Sequence, residues 1–155
     1  RSPDVKQVDV KLRETMRIVS GCLKSTPTQW LPTMSAIAPP PLRRQEANQK
    51  IHTQIEDTEE QTPLKATMDN APTSSRLKSR NPFSKSKITD FNLNREWNDV
   101  WKRDIPKGGT IITDPTRRLP GFESCNRKEW ITSNRLLTGH GRTAANMFQW
   151  KLKES

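Results

Sequence analysis

The chain has 155 residues, with 27 lysines and arginines against 17 aspartates and glutamates, for a formal net charge of +10. Only 30% of the residues are apolar, 28% are charged and 12 are prolines, and the mean hydropathy is −0.92. That balance excludes one large close-packed core and points to a mainly α chain of small helical clusters joined by a long disordered or extended linker. No apolar run approaches the length that spans a bilayer and no signal-peptide stretch opens the chain, so an intracellular protein, nuclear or cytoplasmic, with no membrane partner is expected.

Residues 4–20 carry Val5, Val8, Leu12, Met16 and Val19 at spacings of three and four, the apolar face of a helix that Gly21 stops. Arg13 and Arg17 lie four apart beside that face. Ser25-Thr-Pro-Thr28 makes a turn, and Trp30, Leu31, Met34 and Ile37 form a small apolar cluster. Pro39, Pro40 and Pro41 are expected to be extended, because each proline disfavours helix in the residue before it. Pro41 also suits the first turn of a following helix, about 42–58, carrying Leu42, Ala47, Ile51 and Ile55.

From Glu59 to Lys87 no periodicity is visible, and Ser, Thr, Pro, Asn and Lys dominate. This is read as a linker that separates two halves, since so long a structureless loop does not belong inside a compact domain. The clearest helix follows, with Leu93, Trp97, Val100 and Trp101 on one face and Asp90 or Asn92 as its cap. Pro106 and Gly108-Gly109 end it, Ile111-Ile112-Thr113 reads as a short extended piece, and Asp114-Pro115 and Leu119-Pro-Gly-Phe122 read as turns. Asn126 with Glu129 forms a capping-box pair at the start of the next helix, Gly139 fits its left-handed stop, and a last helix begins near Arg142. The division is therefore 1–58, 59–87 and 88–155.

Charge is uneven: residues 1–50 carry +5, 51–75 carry −4 and 76–155 carry +9. Two basic blocks favour phosphate backbones as partners, against the plainer reading of solvated charge. Cys22 and Cys125 lack Cys-x2-Cys spacing, so together with His52 and His140 they signal neither a disulfide framework nor a zinc site. His140 has no Ser or Cys placed beside it with a third catalytic member, which argues against nucleophilic catalysis.

The most informative stretch is Lys128-Glu-Trp-Ile-Thr-Ser-Asn-Arg-Leu-Leu-Thr-Gly-His-Gly-Arg142, continuing to Trp150: two short helices around a Gly-His-Gly break. Its pattern Trp-x3-Asn-Arg-Leu-x-Thr-Gly-His-Gly-Arg resembles the C-terminal part of reverse transcriptases from non-LTR (LINE-type, jockey-like) retrotransposons. A second block, Arg13 to Pro32 with Ile37-Ala-Pro-Pro and Arg43-Arg44, resembles the region just after the polymerase core in the same proteins. The likeness covers about the first and last thirds of the chain. It implies a thumb-like helical segment at 1–58 and a helix-turn-helix module at 88–155.

The resemblance also implies what is missing. Polymerase chemistry holds divalent cations on paired carboxylates, and no Asp-Asp pair occurs in this chain. The parent polymerase would need magnesium; this chain is expected to need no cofactor, to bind no metal, and not to be an enzyme. It begins at Arg1 and ends at Ser155, short of the Cys-x-Cys motif that follows in the family, and is expected to be a fragment whose partners are an RNA or DNA backbone and the rest of the parent polymerase.

The expected nucleic-acid contacts are Arg13, Arg17, Arg43, Arg44, Asn134, Arg135, His140 and Arg142. Glycines 139 and 141 allow close backbone approach, and arginines on either side suit a bidentate phosphate clamp with His140 as a further donor. The competing reading is a plain helical corner with Gly139 as its cap and arginines as surface charge. Trp97 and Trp101 read as core. Trp130 and Trp150 flank the signature, and only Trp150, beside Lys151 and Lys153, has the surroundings of a base-stacking residue.

Overall fold

The computed structural model describes residues 3–58, 62–70 and 90–152. Among these the chain forms seven α-helices and no strand: α1 (Pro3–Ser20), α2 (Trp30–Ser35), α3 (Pro40–Glu56), α4 (Pro63–Asp69), α5 (Leu93–Arg103), α6 (Arg127–Leu137) and α7 (Ala144–Gln149). The mainly helical class expected from composition is what the structure has. No helix of the described residues is long and apolar enough to cross a membrane.

Two compact units arise. Residues up to Pro40 pack with those from Trp97 onward, while Pro41 to Glu96 make a second unit. These bounds differ from the division at 58 and 87 read from the sequence. Local pattern locates helices, but which helices share a core depends on pairings more than a hundred residues apart.

The core of the first unit holds Met16 of α1, Cys22, Trp30, Leu31 and Met34 of α2, Trp101 of α5 and Ile112, with Ile37, Leu119 and Leu137 at its edge. Burying side chains of this size contributes about 1.5–3 kcal/mol each. Trp30 and Trp101 meet edge to face, their centroids 5.7 Å apart, an arrangement that sets the positive ring edge on the negative ring face. The Trp101 indole donates to the Ile112 carbonyl at 3.1 Å, which ties the segment after α5 onto the helix. Phe122 packs edge to face on Trp130 at 5.2 Å, and the Arg118 guanidinium lies 5.1 Å over the Phe122 ring.

α1 runs where its periodicity places it, but its buried side is not the apolar set alone. Asp9, Met16 and Ser20 are buried, whereas Val8 is 53% exposed. Ser20 Oγ donates back to the Met16 carbonyl at 2.7 Å, which satisfies its hydroxyl inside the helix. Gly21 adopts φ +71°, and a Cβ there would stand 2.3 Å from Ile131 Cγ1. Glycine is required twice over, for the left-handed stop and for the approach of α6. Arg17 then closes the following turn, donating to the Leu23 carbonyl and to that of Thr26 at 3.1 Å.

Several expectations are corrected. Pro40 is not extended but opens α3, and Pro41 lies in its first turn as expected, where amides have no intrahelical acceptor and a missing N–H costs nothing. On α3 Pro40, Leu42 and His52 are buried, while Ile51 is 44% exposed. Inside the expected linker, residues 63–69 form α4. Its Thr67 hydroxyl donates to the Pro63 carbonyl at 2.7 Å, and the Asn70 side-chain amide donates to the Ala66 carbonyl at 2.9 Å. Seven residues are too few to display a period, so only local start and stop chemistry marks it. The rest of that segment, 59–61 and 71–87, lies outside the described residues.

α5 starts with Asn92 accepting from the Arg95 amide at 3.0 Å, and Trp97 and Trp101 are buried as expected. In place of an extended piece from Ile111, Gly109–Ile111 forms a 3₁₀ turn, and Ile112 after it is extended. The Asp114 carboxylate accepts from the Thr116 amide at 3.0 Å and hydroxyl at 2.7 Å, making the expected turn; these bonds hold its carboxyl below the usual carboxylate range.

Trp101→Ala is expected to lower stability by about 3–5 kcal/mol. Trp101→Phe, which keeps an aromatic ring but leaves the Ile112 carbonyl unmet, is expected to cost about 1–3 kcal/mol. Urea unfolding followed by circular dichroism measures both.

Candidate nucleic-acid interface

The capping box forms as the sequence implies. The Asn126 side chain accepts from the Glu129 amide at 3.0 Å and the Glu129 carboxylate accepts from the Asn126 amide at 3.1 Å. That pair sets where α6 begins, and with it which residues share a face. Arg127, Ile131, Asn134 and Arg135, at i, i+4, i+7 and i+8, fall on one side.

This side meets the C-terminal end of α1, where carbonyls lack intrahelical donors. The Arg127 guanidinium donates to the carbonyls of Ile18 and Val19. Asn134 Nδ2 donates to Ser20 at 2.8 Å, and Arg135 Nε donates to Gly21 at 3.0 Å. Four successive carbonyls are thus met by three side chains of α6, and two of those side chains bring positive charge to the negative end of a helix dipole.

After α6 the chain turns in a Schellman motif. The Gly139 amide donates to Leu136 at 3.0 Å and the His140 amide to Arg135 at 2.7 Å, with Gly139 at φ +75°. His140 Nδ1 donates to the Thr138 carbonyl at 2.8 Å, since a carbonyl only accepts. Asn146 Nδ2 reaches back to the carbonyls of Gly139 at 2.9 Å and Gly141 at 2.8 Å. Thr143 caps α7 by accepting from the Asn146 amide at 3.3 Å. Gly141 packs on Leu136, where a Cβ would lie 2.4 Å from Leu136 Cδ2. The glycine corner is held by its own hydrogen bonds, and its second glycine serves helix packing.

Beside the corner lies a groove of about 710 Å³, lined by Arg127, Lys128, Arg135, His140 and Arg142, with Leu23, Ile131, Trp150 and Leu152 as its apolar surfaces. Four cationic side chains and, among the described residues, no carboxylate line it. Arg142 and Lys128 are exposed. Arg135 also borders a second hollow of about 650 Å³ with Arg17, Lys24, Glu14 and Cys22. Burial pushes the Cys22 thiol above its ordinary value, opposed by the Ser20 hydrogen bond and by the charges of Arg17 and Arg135.

The structure gathers three of the expected contacts, Arg135, His140 and Arg142, on one groove. Arg17 joins Arg135 only at the second hollow. Asn134 is fully buried, with its amide committed to Ser20, so it presents no surface to a ligand. Arg13 is exposed on α1, and Arg43 and Arg44 belong to the second unit, on α3. Arg127 and Lys128 line the groove without having been singled out. The signal for Arg127 was present, since it lies eight residues before Arg135 and shares its helical face.

No family model, curated protein or solved structure matches the chain.

Asn134→Ala is expected to cost about 1–3 kcal/mol, because the Ser20 carbonyl is left buried and unmet. Asn134→Asp, which turns the donor into an acceptor facing that carbonyl, is expected to cost more; urea midpoints rank the two. Under native conditions at pH 8, iodoacetamide is expected to alkylate the partly exposed Cys125 well before Cys22, whose burial disfavours the thiolate. Peptide mapping reads the order.

Proposed function

We propose that this chain is a catalytically silent region of a non-LTR retrotransposon reverse transcriptase that contributes sequence-nonspecific binding of RNA or DNA. The observation that carries the reading is the groove beside the Gly-His-Gly corner, with four cations and, among the described residues, no carboxylate along its walls. Such a surface attracts any polyphosphate backbone and reads no base edge, so its selectivity is for charge and not for sequence. Guanidinium groups meet phosphate oxygens through paired donors. Arg135 donates Nε to Gly21, and among the described residues its two terminal nitrogens meet no hydrogen-bond acceptor.

The retrotransposon origin rests on the resemblance of the signature around Asn134 to Arg142 and of the block from Arg13 to Arg44. The magnesium of polymerase chemistry is left to the parent polymerase in this reading. The sequence has no adjacent aspartates, and among the described residues no three His, Cys, Asp or Glu side chains converge. The proposal is therefore a binding role in which the parent polymerase supplies any reaction.

A second reading, in which these helices only pack within the parent polymerase and bind nothing, is favoured by one specific observation. Arg127, Asn134 and Arg135 all direct donors at the end of α1. Lys128 and Arg142 separate the two readings, because neither caps α1.

Binding of the full chain to a labelled RNA hairpin is expected to weaken steeply with salt. Lys128→Ala/Arg142→Ala is expected to reduce the slope of log K against log salt by about two units, one for each lost phosphate contact, with stability unchanged. Absence of binding at low salt, or an unchanged slope, would leave the packing role alone.

A further inference from the structure

Five tryptophans lie among the described residues, and four are in the interior: Trp30, Trp97, Trp101 and Trp130 are each 7% exposed or less. Trp150 is different, at 39% exposed, and it stands in the basic groove that no carboxylate of the described residues lines. Main-chain hydrogen bonds help to fix its position. The Trp150 amide donates to Asn146, the Lys151 amide to Phe148 and the Leu152 amide to Met147, each at 2.9 Å, with Lys151 at φ +56°. This main-chain closure of α7 holds the indole at the groove while leaving it open to solvent.

A duplex backbone offers phosphates but keeps its bases stacked inside, so it would use the cationic wall and leave the indole idle. A single strand offers both phosphates and unstacked base faces, and aromatic rings interleaved with basic side chains are the means by which strands are held without regard to sequence. We propose that the groove takes a single-stranded nucleic acid, with one base stacked on Trp150 and the flanking phosphates on Lys128, Arg135 and Arg142. This rests on the binding role proposed above and narrows it to one form of the ligand.

The test uses the full chain, an unstructured uridine 12-mer and a blunt 12-base-pair RNA duplex, in titrations read by intrinsic fluorescence and by anisotropy of labelled RNA. Because the other four indoles are buried, quenching by the single strand reports on Trp150. The expected result is quenching by the single strand that disappears in Trp150→Leu. That variant is also expected to lose about tenfold or more in single-strand affinity and to keep its duplex affinity, with Trp150→Phe between the two. Far-UV circular dichroism of Trp150→Leu is expected to match the parent chain.

Equal affinity for both RNAs, or an unchanged single-strand affinity in Trp150→Leu, would overturn the stacking proposal and leave phosphate binding standing. Binding to neither RNA would overturn both. Capture on anionic phosphatidylglycerol vesicles that exceeds single-strand binding and is lost in Trp150→Leu would assign the indole to a lipid surface and also overturn it.

Discussion

The end of α1 is the constraint on which the first unit depends. A helix that stops inside a protein leaves its last carbonyls without amides, and a buried carbonyl without a donor costs about as much as the lost hydrogen bond itself. Here Asn134 meets the buried Ser20 carbonyl and Arg135 the part-buried Gly21 carbonyl, while Arg127 meets those of Ile18 and Val19 at the surface. The interaction joins segments more than a hundred residues apart, at a closure cost that rises only slowly with the length of the loop. It also explains Gly21: the same residue that lets α1 stop leaves room for Ile131, so that α6 comes close enough to deliver its donors.

The charge of the groove is a consequence of this packing. Arginine suits the cap because its guanidinium presents several donors in a plane and stays ionised when partly buried. Once Arg127 and Arg135 are held by α1 carbonyls, their positive charge is fixed in position, and Lys128 and Arg142 add charge with no structural duty. A held guanidinium loses less side-chain entropy on meeting an anion than a free one does. In the proposed binding role, stability and phosphate contact would draw on the same two arginines, so a change at Arg135 would mix both effects and a change at Arg142 would not.

The Gly-His-Gly corner shows how a motif divides between the two roles. Its turn chemistry is complete in itself, with two Schellman hydrogen bonds, the Asn146 clasp and a close contact of Gly141 on Leu136. No part of that requires a ligand. What the corner does for the groove is place Arg142 and His140 across from Arg135, so the same residues that build a helical corner also border a cationic surface.

Local chemistry made much of this legible. Asn126 and Glu129 announce the start of α6, Gly139 its stop, Asn92 the start of α5, and Trp30, Leu31, Met34, Trp97 and Trp101 their burial, because caps and periodicity act over a few residues. The same locality explains the failures: α4 is too short to show a period, Pro40 is tolerated at a helix start by the absence of acceptors there, and Val8 lies on a face left half exposed. By itself the sequence determined the helical class, most helix ends and the concentration of basic residues around the signature. Only the tertiary structure decided that Asn134 is a buried cap, that Arg127 and Lys128 belong with Arg135 and Arg142, and that Trp150 alone among the tryptophans faces solvent, because burial and the assignment of a donor depend on which distant segment arrives to meet it.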